Sequence, residues 1–152
     1  MQDRNKRLDG RIVLVTGAAG GIGAQIARQA AGEGARVIIS DVRRDDGQKL
    51  AEELGTPARF VAHDVGDEDA WDRLAELCKA EGGVGGLVNN AGIFDPRPIA
   101  ETDVAFFERN MRINVLGTFL GIRFIEQAAA PSGASVVNLS SYAGLRGTKG
   151  IA

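Results

Sequence analysis

Apolar residues cluster in five short runs along the chain, and stretches with helical spacing of apolar positions lie between them. The apolar runs occupy residues 12–16, 36–40, 58–62, 86–89 and 134–139. The helical patterns occupy residues 22–33, 45–54, 67–80 and 102–130. Strands buried in a parallel sheet read as continuous apolar runs, and successive parallel strands need a crossover that is usually a helix. The alternation therefore predicts an α/β fold with a parallel sheet and crossover helices.

Residues that favour helix ends mark several of these boundaries. Asp67 and Thr102 stand at the start of helical patterns, where their short side chains can accept hydrogen bonds from free backbone N–H groups. Gly32, Gly34 and Gly55 stand where helical patterns stop, as expected of glycine at helix C-termini. The pattern after Thr102 predicts one long helix.

Glycines are concentrated in the stretch TGAAGGIG at 16–23, which follows the first apolar run and opens a helical pattern. Backbone N–H groups at a helix N-terminus lack intrahelical partners and carry partial positive charge, so they can bind a pyrophosphate. Glycine lets the phosphate approach because it has no Cβ. Gly17, Gly21 and Gly23 span seven residues, one more than the common dinucleotide fingerprint G-x-G-x-x-G. Taken alone, the stretch also fits a turn of a flavodoxin-like or methyltransferase domain.

Asp41 ends the second apolar run, eighteen residues after Gly23. This is the place of the acid that accepts hydrogen bonds from a ribose diol in dinucleotide-binding domains. A carboxylate there repels the extra phosphate of NADP, and the glycine stretch contains no lysine or arginine to offset that repulsion. The sequence therefore favours NAD over NADP. Arg43 and Arg44 weaken this preference slightly, and we interpret both as solvated residues before the next helix.

The composition and charge of the chain limit the classes of partner and the number of domains. The chain has 152 residues, 44% of them hydrophobic, and we expect one domain over residues 1–152. Its net charge of −2, with 18 basic and 20 acidic residues intermixed, gives no reason to expect nucleic acid or an anionic membrane as partner. No apolar stretch approaches the roughly 20 residues of a bilayer crossing, and the start lacks the apolar core of a signal peptide. We therefore expect a cytoplasmic protein.

Cysteine and histidine each occur once. Cys78 cannot form an internal disulfide, and its apolar neighbours on a helical pattern indicate a buried position. His63 together with one cysteine makes no set of metal ligands. The sequence predicts no metal site.

Four further motifs follow in order: Asp64 with Val65, the run NNAG at 89–92, Asn114, and the run NLSS at 138–141. With these motifs and the glycine stretch, the chain from about Gly10 to Ala152 resembles the short-chain dehydrogenase/reductases. The resemblance implies a Rossmann-type, doubly wound parallel sheet of strand order 3-2-1-4-5, with NAD lying across the C-terminal strand ends. The residues that would bind the cofactor are Gly17, Gly21, Ile22, Gly23, Asp41, Asp64, Val65 and Asn90.

The resemblance also implies catalytic residues. Asn114 matches an asparagine that holds a water of the proton relay, and Ser141 matches a serine that hydrogen-bonds the substrate oxygen. The Tyr-x-x-x-Lys pair of the family is absent, because Tyr142 and Lys149 are seven residues apart rather than the three or four that one helix face needs. The sequence is therefore identified as the N-terminal part of such an enzyme, without its C-terminal strands and catalytic helix, and the 152-residue chain alone is expected to be inactive.

The function that the resemblance implies is hydride transfer between NAD(H) and a secondary alcohol or ketone. The overall likeness is to hydroxysteroid, 3-oxoacyl and related alcohol dehydrogenases, which points to a bulky hydrophobic secondary alcohol. The helix predicted after Thr102 commonly packs against another subunit in the family, so a homodimer or homotetramer is expected. An alternative stays open: the chain is complete, and is an NAD-binding module without catalysis in which Asn114 and Ser141 are relics.

Overall fold

The computed structural model describes residues 6–150. Five parallel strands form one sheet, with bounds β1 Ile12–Thr16, β2 Arg36–Asp41, β3 Arg59–Ala62, β4 Gly86–Asn89 and β5 Ser135–Asn138. The α-helices are α1 Gly21–Gly32, α2 Arg44–Leu54, α3 Glu68–Ala80, α4 Val104–Asn110 and α5 Gly117–Ala128. A π-helical turn, Met111–Leu116, joins α4 to α5, and two one-turn 3₁₀ helices span Ile99–Glu101 and Tyr142–Gly144.

The strand order is β3-β2-β1-β4-β5, which confirms the predicted doubly wound sheet. Successive side chains of a strand point to opposite faces, so β1 contributes to two cores. Val13 and Val15 pack with residues of α1 and α2, whereas Ile12 and Leu14 pack with residues of α3 and α5. Helices therefore cover both faces, and the C-terminal ends of the strands meet at one edge. Strand β5 lies at the side of the sheet, and its residues are exposed.

Most predicted helix ends are correct. Asp67 caps α3, because its carboxylate accepts a hydrogen bond from the Asp69 amide at 3.1 Å. Gly55 caps the C-terminus of α2 with φ +68°, a backbone conformation that glycine adopts without strain. Cys78 is fully buried, as predicted. No helix within residues 6–150 is long and apolar enough to cross a membrane.

The long helix predicted from Thr102 is wrong in two respects. Its cap is Asp103, whose carboxylate accepts from the Phe106 amide at 2.7 Å, whereas the Thr102 hydroxyl donates to the Pro98 carbonyl. The helix is also interrupted by the π-helical turn. A π-helical turn changes the direction in which the following side chains point around the helix axis. This turn contains Asn114.

Candidate functional site

The carboxyl ends of β1, β2, β3 and β4 surround a cavity of about 510 Å³. Its walls bring together seven of the eight residues predicted to bind a cofactor: Gly17, Gly21, Ile22, Asp41, Asp64, Val65 and Asn90. The eighth, Gly23, is buried behind the wall. Residues that are far apart in the sequence are neighbours here because parallel strands end at the same edge of the sheet.

The glycines of the loop at 16–23 allow two close approaches. A Cβ on Gly17 would lie 2.8 Å from the Ala91 Cα atom, and Gly17 has a φ of +63°. A Cβ on Gly23 would lie 2.5 Å from both the Gly17 carbonyl oxygen and the Asn90 Nδ2 atom. Gly23 is therefore needed for packing beneath the loop, and not as part of the cavity wall.

The N-terminus of α1 fits an anion. The helix begins at Gly21, its cap residue Gly20 provides no side-chain hydrogen bond, and its first turn contains no acidic side chain. A Cβ on Gly21 would meet nothing within 4 Å, so the start of the helix is open on that side, and Gly21 also lines the cavity. Free N–H groups and open space beside a cavity are what a pyrophosphate requires.

Asn90 and Thr16 hold the glycine loop in place. The Asn90 Nδ2 atom donates to the carbonyl oxygens of Thr16, at 2.9 Å, and Gly17, at 3.1 Å. The Thr16 hydroxyl, which is buried, accepts from the amides of Asn90 and Ala91. These bonds join the end of β1 to the end of β4, so the loop shape depends on both motifs. The role of Thr16 was not predicted, although it immediately precedes Gly17.

Asp41 is almost fully buried and already has partners. Its Oδ2 atom accepts from the Ala19 amide at 2.9 Å, and its Oδ1 atom accepts from the Arg43 amide at 3.0 Å. The Arg43 Nε atom lies 3.6 Å from the same Oδ1 atom. The guanidinium also packs on the loop, because a Cβ on Gly20 would lie 2.7 Å from Nη2. Arg43 is half exposed and directly precedes α2, as predicted, but it also lines the cavity, which the sequence did not indicate.

Asp64 is held by one local and one distant partner. Its Oδ1 atom accepts from the Gly66 amide at 2.9 Å, and its Oδ2 atom accepts from Nη1 and Nη2 of Arg112, each at 3.1 Å. Arg112 lies on the π-helical turn, and sequence reasoning missed it because nothing local marks a contact across 48 residues.

His63 is a buried residue of this wall. Its Nδ1 atom is 2.7 Å from the Ser40 hydroxyl, and its ring meets Trp71 edge-on with centroids 4.4 Å apart. Burial lowers the pKa of His63 to about 4, against the opposing effect of Asp64. The imidazole is therefore neutral at pH 7. Within residues 6–150, no group of three or more histidine, cysteine or acidic side chains is arranged to hold a metal.

The neutral His63 gives a stability prediction. In the unfolded chain the ring has its ordinary pKa of 6.5, so below that pH the unfolded state binds a proton that the folded state refuses. We expect this residue to lower the free energy of unfolding by about 1.4 kcal/mol per pH unit as the pH falls from 6.5 towards 4. In urea unfolding across this range, His63→Asn should show a shallower pH dependence than the wild type. Equal slopes would contradict the prediction.

Asn114 lies at a second cavity, which shares Ile93 with the first. Its Oδ1 atom accepts from the Ile93 amide at 2.8 Å, and its Nδ2 atom donates to the Ile93 carbonyl at 2.9 Å. This cavity has a volume of about 470 Å³, and it is lined by Ile93, Phe94, Asn110, Asn114 and residues 143–148. These two hydrogen bonds fix the backbone between the two cavities and leave one N–H group and one lone pair of the Asn114 amide available.

Ser141 follows β5 and begins the segment that forms the far wall of the second cavity. Its hydroxyl oxygen accepts from the Ala143 amide at 3.2 Å, and Ser141 itself is exposed. The hydroxyl proton and one lone pair remain available. Tyr142 is also exposed, and Arg146 lies over its ring at 5.6 Å.

Comparisons with known proteins agree with this architecture. A sequence model described as short chain dehydrogenase matches residues 11–152. A crystal structure from Brucella melitensis, described as a short-chain dehydrogenase/reductase and glucose/ribitol dehydrogenase, superposes with a TM-score of 0.88 at 31% identity. That match covers 95% of this chain and 62% of the other chain.

Curated relatives match over most of this chain. A sorbitol dehydrogenase of Cereibacter sphaeroides is 40% identical over 93% of this chain and 56% of its own length. A 3-beta-hydroxysteroid dehydrogenase of Comamonas testosteroni is 38% identical, over 89% and 54% respectively. An NADP-dependent (R)-specific alcohol dehydrogenase of Lentilactobacillus kefiri is 37% identical, over 93% and 58%. The chain therefore spans about half the length of the curated relatives it matches.

Proposed function

The chain belongs to the short-chain dehydrogenase family, and from that premise we propose that the complete protein is an oxidoreductase transferring a hydride between NAD(H) and a secondary alcohol or ketone. In this proposal residues 1–152 form its dinucleotide-binding domain. The proposal rests on one observation, that the glycine loop, Asp41 and Asp64 border the same cavity. Few functions other than holding a dinucleotide need a phosphate cradle and two carboxylates along one edge of a sheet.

The residues present fit a nicotinamide dinucleotide, with each part assigned to a strand end. The glycine loop and the N-terminus of α1 would hold the pyrophosphate, Asp41 the adenosine ribose, and Asp64 with Val65 the base. Asn90 keeps the loop in the conformation that this needs. When bound, the nicotinamide ring supplies or accepts the hydride.

Ser141 and Asn114 are the two proposed catalytic residues. The Ser141 hydroxyl can donate a hydrogen bond to the substrate oxygen while it accepts from the Ala143 amide. Asn114 would hold a water of the proton relay, as the family resemblance implies, and its two hydrogen bonds to Ile93 fix the backbone between the two cavities. Residues 1–152 contain no Tyr-x-x-x-Lys pair, so we expect the polypeptide 1–152 alone to show no turnover.

The preference for NAD rests on the buried Asp41 carboxylate, whose charge opposes the 2′-phosphate of NADP. Arg43 acts in the other direction, because its guanidinium lies beside both Asp41 and Gly20. We assign the preference to NAD because Arg43 is already paired with Asp41.

A secondary alcohol is the proposed substrate class, with a bulky hydrophobic alcohol as the first candidate. Phe94, which is exposed, and Ile93 supply apolar surface to the second cavity. The related proteins are described by substrates as different as sorbitol and hydroxysteroids, so a test panel must include polar and apolar alcohols.

An absorbance assay at 340 nm on the complete protein tests the proposal. With NAD⁺ and a panel of a hydroxysteroid, sorbitol and cyclohexanol, we expect NADH to form with at least one alcohol. Absence of any absorbance change with this panel, and with the matching ketones and NADH, would contradict the proposed function.

Self-association and location complete the proposal. The face of α4, the π-helical turn and α5 exposes large apolar side chains: Val104, Phe107, Met111, Val115, Phe119 and Ile122. Leu120, by contrast, belongs to the core. Exposed apolar surface of this kind supports a homodimer or homotetramer, which the mass of the complete protein in solution would test. The free, buried Cys78 is compatible with the proposed cytoplasmic location.

A further inference from the structure

Arg112 connects the two cavities. It lies on the π-helical turn two residues before Asn114, and its guanidinium donates two hydrogen bonds to the Asp64 carboxylate at the end of β3. We propose that Arg112 is a positioning residue that orients Asp64 to accept a hydrogen bond from the adenine amino group of the cofactor. The inference rests on the proposed function, because it takes a dinucleotide as the ligand.

The sheet order indicates which part of a dinucleotide reaches Asp64. The glycine loop follows β1, Asp41 follows β2 and Asp64 follows β3, and neighbouring strands lie about 4.8 Å apart. A pyrophosphate on the loop and a ribose on Asp41 therefore bring the base to Asp64. The exocyclic amino group is the donor that adenine offers to a carboxylate.

The hydrogen bonds of Asp64 leave one acceptor position. A carboxylate has about four lone-pair sites. The Gly66 amide occupies one on Oδ1, and the Arg112 guanidinium occupies both on Oδ2. One site on Oδ1 remains. Without Arg112, only the Gly66 bond would hold the carboxylate, and the group could rotate away from the base.

Two glycines show how closely these segments are packed. A Cβ on Gly66 would lie 2.6 Å from Nη1 and 2.9 Å from Cγ of Arg112. A Cβ on Gly117, at the start of α5, would lie 2.7 Å from Cγ2 of Val65. The wall at 64–66 is therefore pressed against the π-helical turn and α5 at two points. Arg112 is packed in place and is not a freely mobile surface side chain.

The same turn fixes the other cavity through Asn114 and Ile93. A displacement of Arg112 acts first on Asp64, its direct partner, and only indirectly on Asn114. We therefore expect cofactor binding to change more than turnover at saturating cofactor. This difference separates a positioning role from a general loss of structure.

The test compares two cofactors that differ at one group. Dissociation constants of NADH and reduced nicotinamide hypoxanthine dinucleotide, which carries a carbonyl in place of the amino group, are measured by calorimetry on the complete protein. The wild type should prefer NADH by about tenfold, as expected for a hydrogen bond to a charged group. The Arg112 and Asp64 side chains are 45% and 38% exposed, so we expect Arg112→Gln to weaken NADH binding only by about fivefold. The preference should fall accordingly, to about twofold.

Matched variants make the test specific. Arg123→Gln removes a comparably exposed ion pair, with Glu68, on the same helical segment and should leave the preference unchanged. Asp64→Asn should abolish the preference, and adding Arg112→Gln to it should have no further effect. Gly66→Ala displaces Arg112 sterically and should imitate Arg112→Gln, which provides a second variant if the first does not fold.

The outcomes distinguish the inference from the function. If Arg112→Gln and Gly66→Ala fold and keep the wild-type preference, the role of Arg112 is overturned. If the wild type binds both cofactors equally, Asp64 does not contact the amino group and the inference fails while the proposed function stands. If the wild type binds neither cofactor, the proposed function fails.

Discussion

Ser141→Ala should lower kcat of the complete protein by about a thousandfold, with little change in the dissociation constant of NADH. The reason is that the hydroxyl would donate to an oxygen that carries more negative charge in the transition state than in the ground state. Removal of one such donor costs on the order of 10²–10³ in kcat. Steady-state kinetics with saturating NAD⁺, together with NADH binding by calorimetry, measure the two quantities.

Ser140→Ala is the matched control for this variant. Ser140 is the same residue type one position earlier, and it is also exposed. Both serines lie beyond the end of β5 at Asn138, and the proposal assigns the substrate hydrogen bond to Ser141 alone. We expect Ser140→Ala to retain kcat within about threefold, well below the loss of a transition-state donor. If the two variants lose activity equally, the assignment of Ser141 is wrong.

The parts of the site that could be predicted all follow an apolar run. Gly17, Asp41, Asp64 and Asn90 each stand next to the end of a strand, and parallel strands end at one edge, so their convergence follows from strand order alone. Strand order follows in turn from the family resemblance. For these residues, local sequence and topology are sufficient.

Arg43 and Arg112 show where sequence reasoning stops. Arg43 precedes α2 and Arg112 lies on the π-helical turn, and for such long, flexible cations a solvated side chain is the ordinary expectation. Their positions depend on the space beside Gly20 and Gly66, and that space exists only in the folded chain. The π-helical interruption at Met111–Leu116 likewise has no local signal, because the segment contains neither proline nor glycine. It is held by hydrogen bonds between Asn114 and Ile93, which form only in the folded chain.

The two arginines have a common consequence for the cofactor cavity. Asp41 and Asp64 each bring a negative charge to a site proposed for an anionic pyrophosphate, and each is paired with an arginine. The pairing offsets the repulsion that two bare carboxylates would exert on the ligand. The cavity walls therefore offer oriented hydrogen-bond acceptors for hydroxyl and amino groups with little repulsion of the pyrophosphate. When one carboxylate is removed, the effect depends also on the new position and charge interactions of its arginine.

Asp41→Asn should shift the ratio of kcat/KM for NAD⁺ over that for NADP⁺ by at least about a hundredfold towards NADP⁺. Two unpaired unit charges 4 Å apart near a protein surface repel by about 4 kcal/mol. The pairing with Arg43 reduces this repulsion for Asp41, and the substitution removes what remains of it from the 2′-phosphate. It also frees Arg43, which the wild-type carboxylate holds at 3.6 Å. Asparagine keeps an oxygen acceptor for the Ala19 amide, so the glycine loop should keep its shape.

Two further variants separate the lost repulsion from the gained attraction. Asp46→Asn removes the other carboxylate partner of Arg43. Asp46 does not line the cofactor cavity, so this variant should keep the wild-type cofactor ratio within about threefold. The double variant Asp41→Asn with Arg43→Leu should lose most of the NADP⁺ activity gained by Asp41→Asn, because no cation then faces the phosphate. If the double variant uses NADP⁺ as well as the single variant does, Arg43 takes no part and relief of repulsion alone explains the shift. If Asp41→Asn leaves the ratio unchanged, the proposed NAD preference does not depend on Asp41.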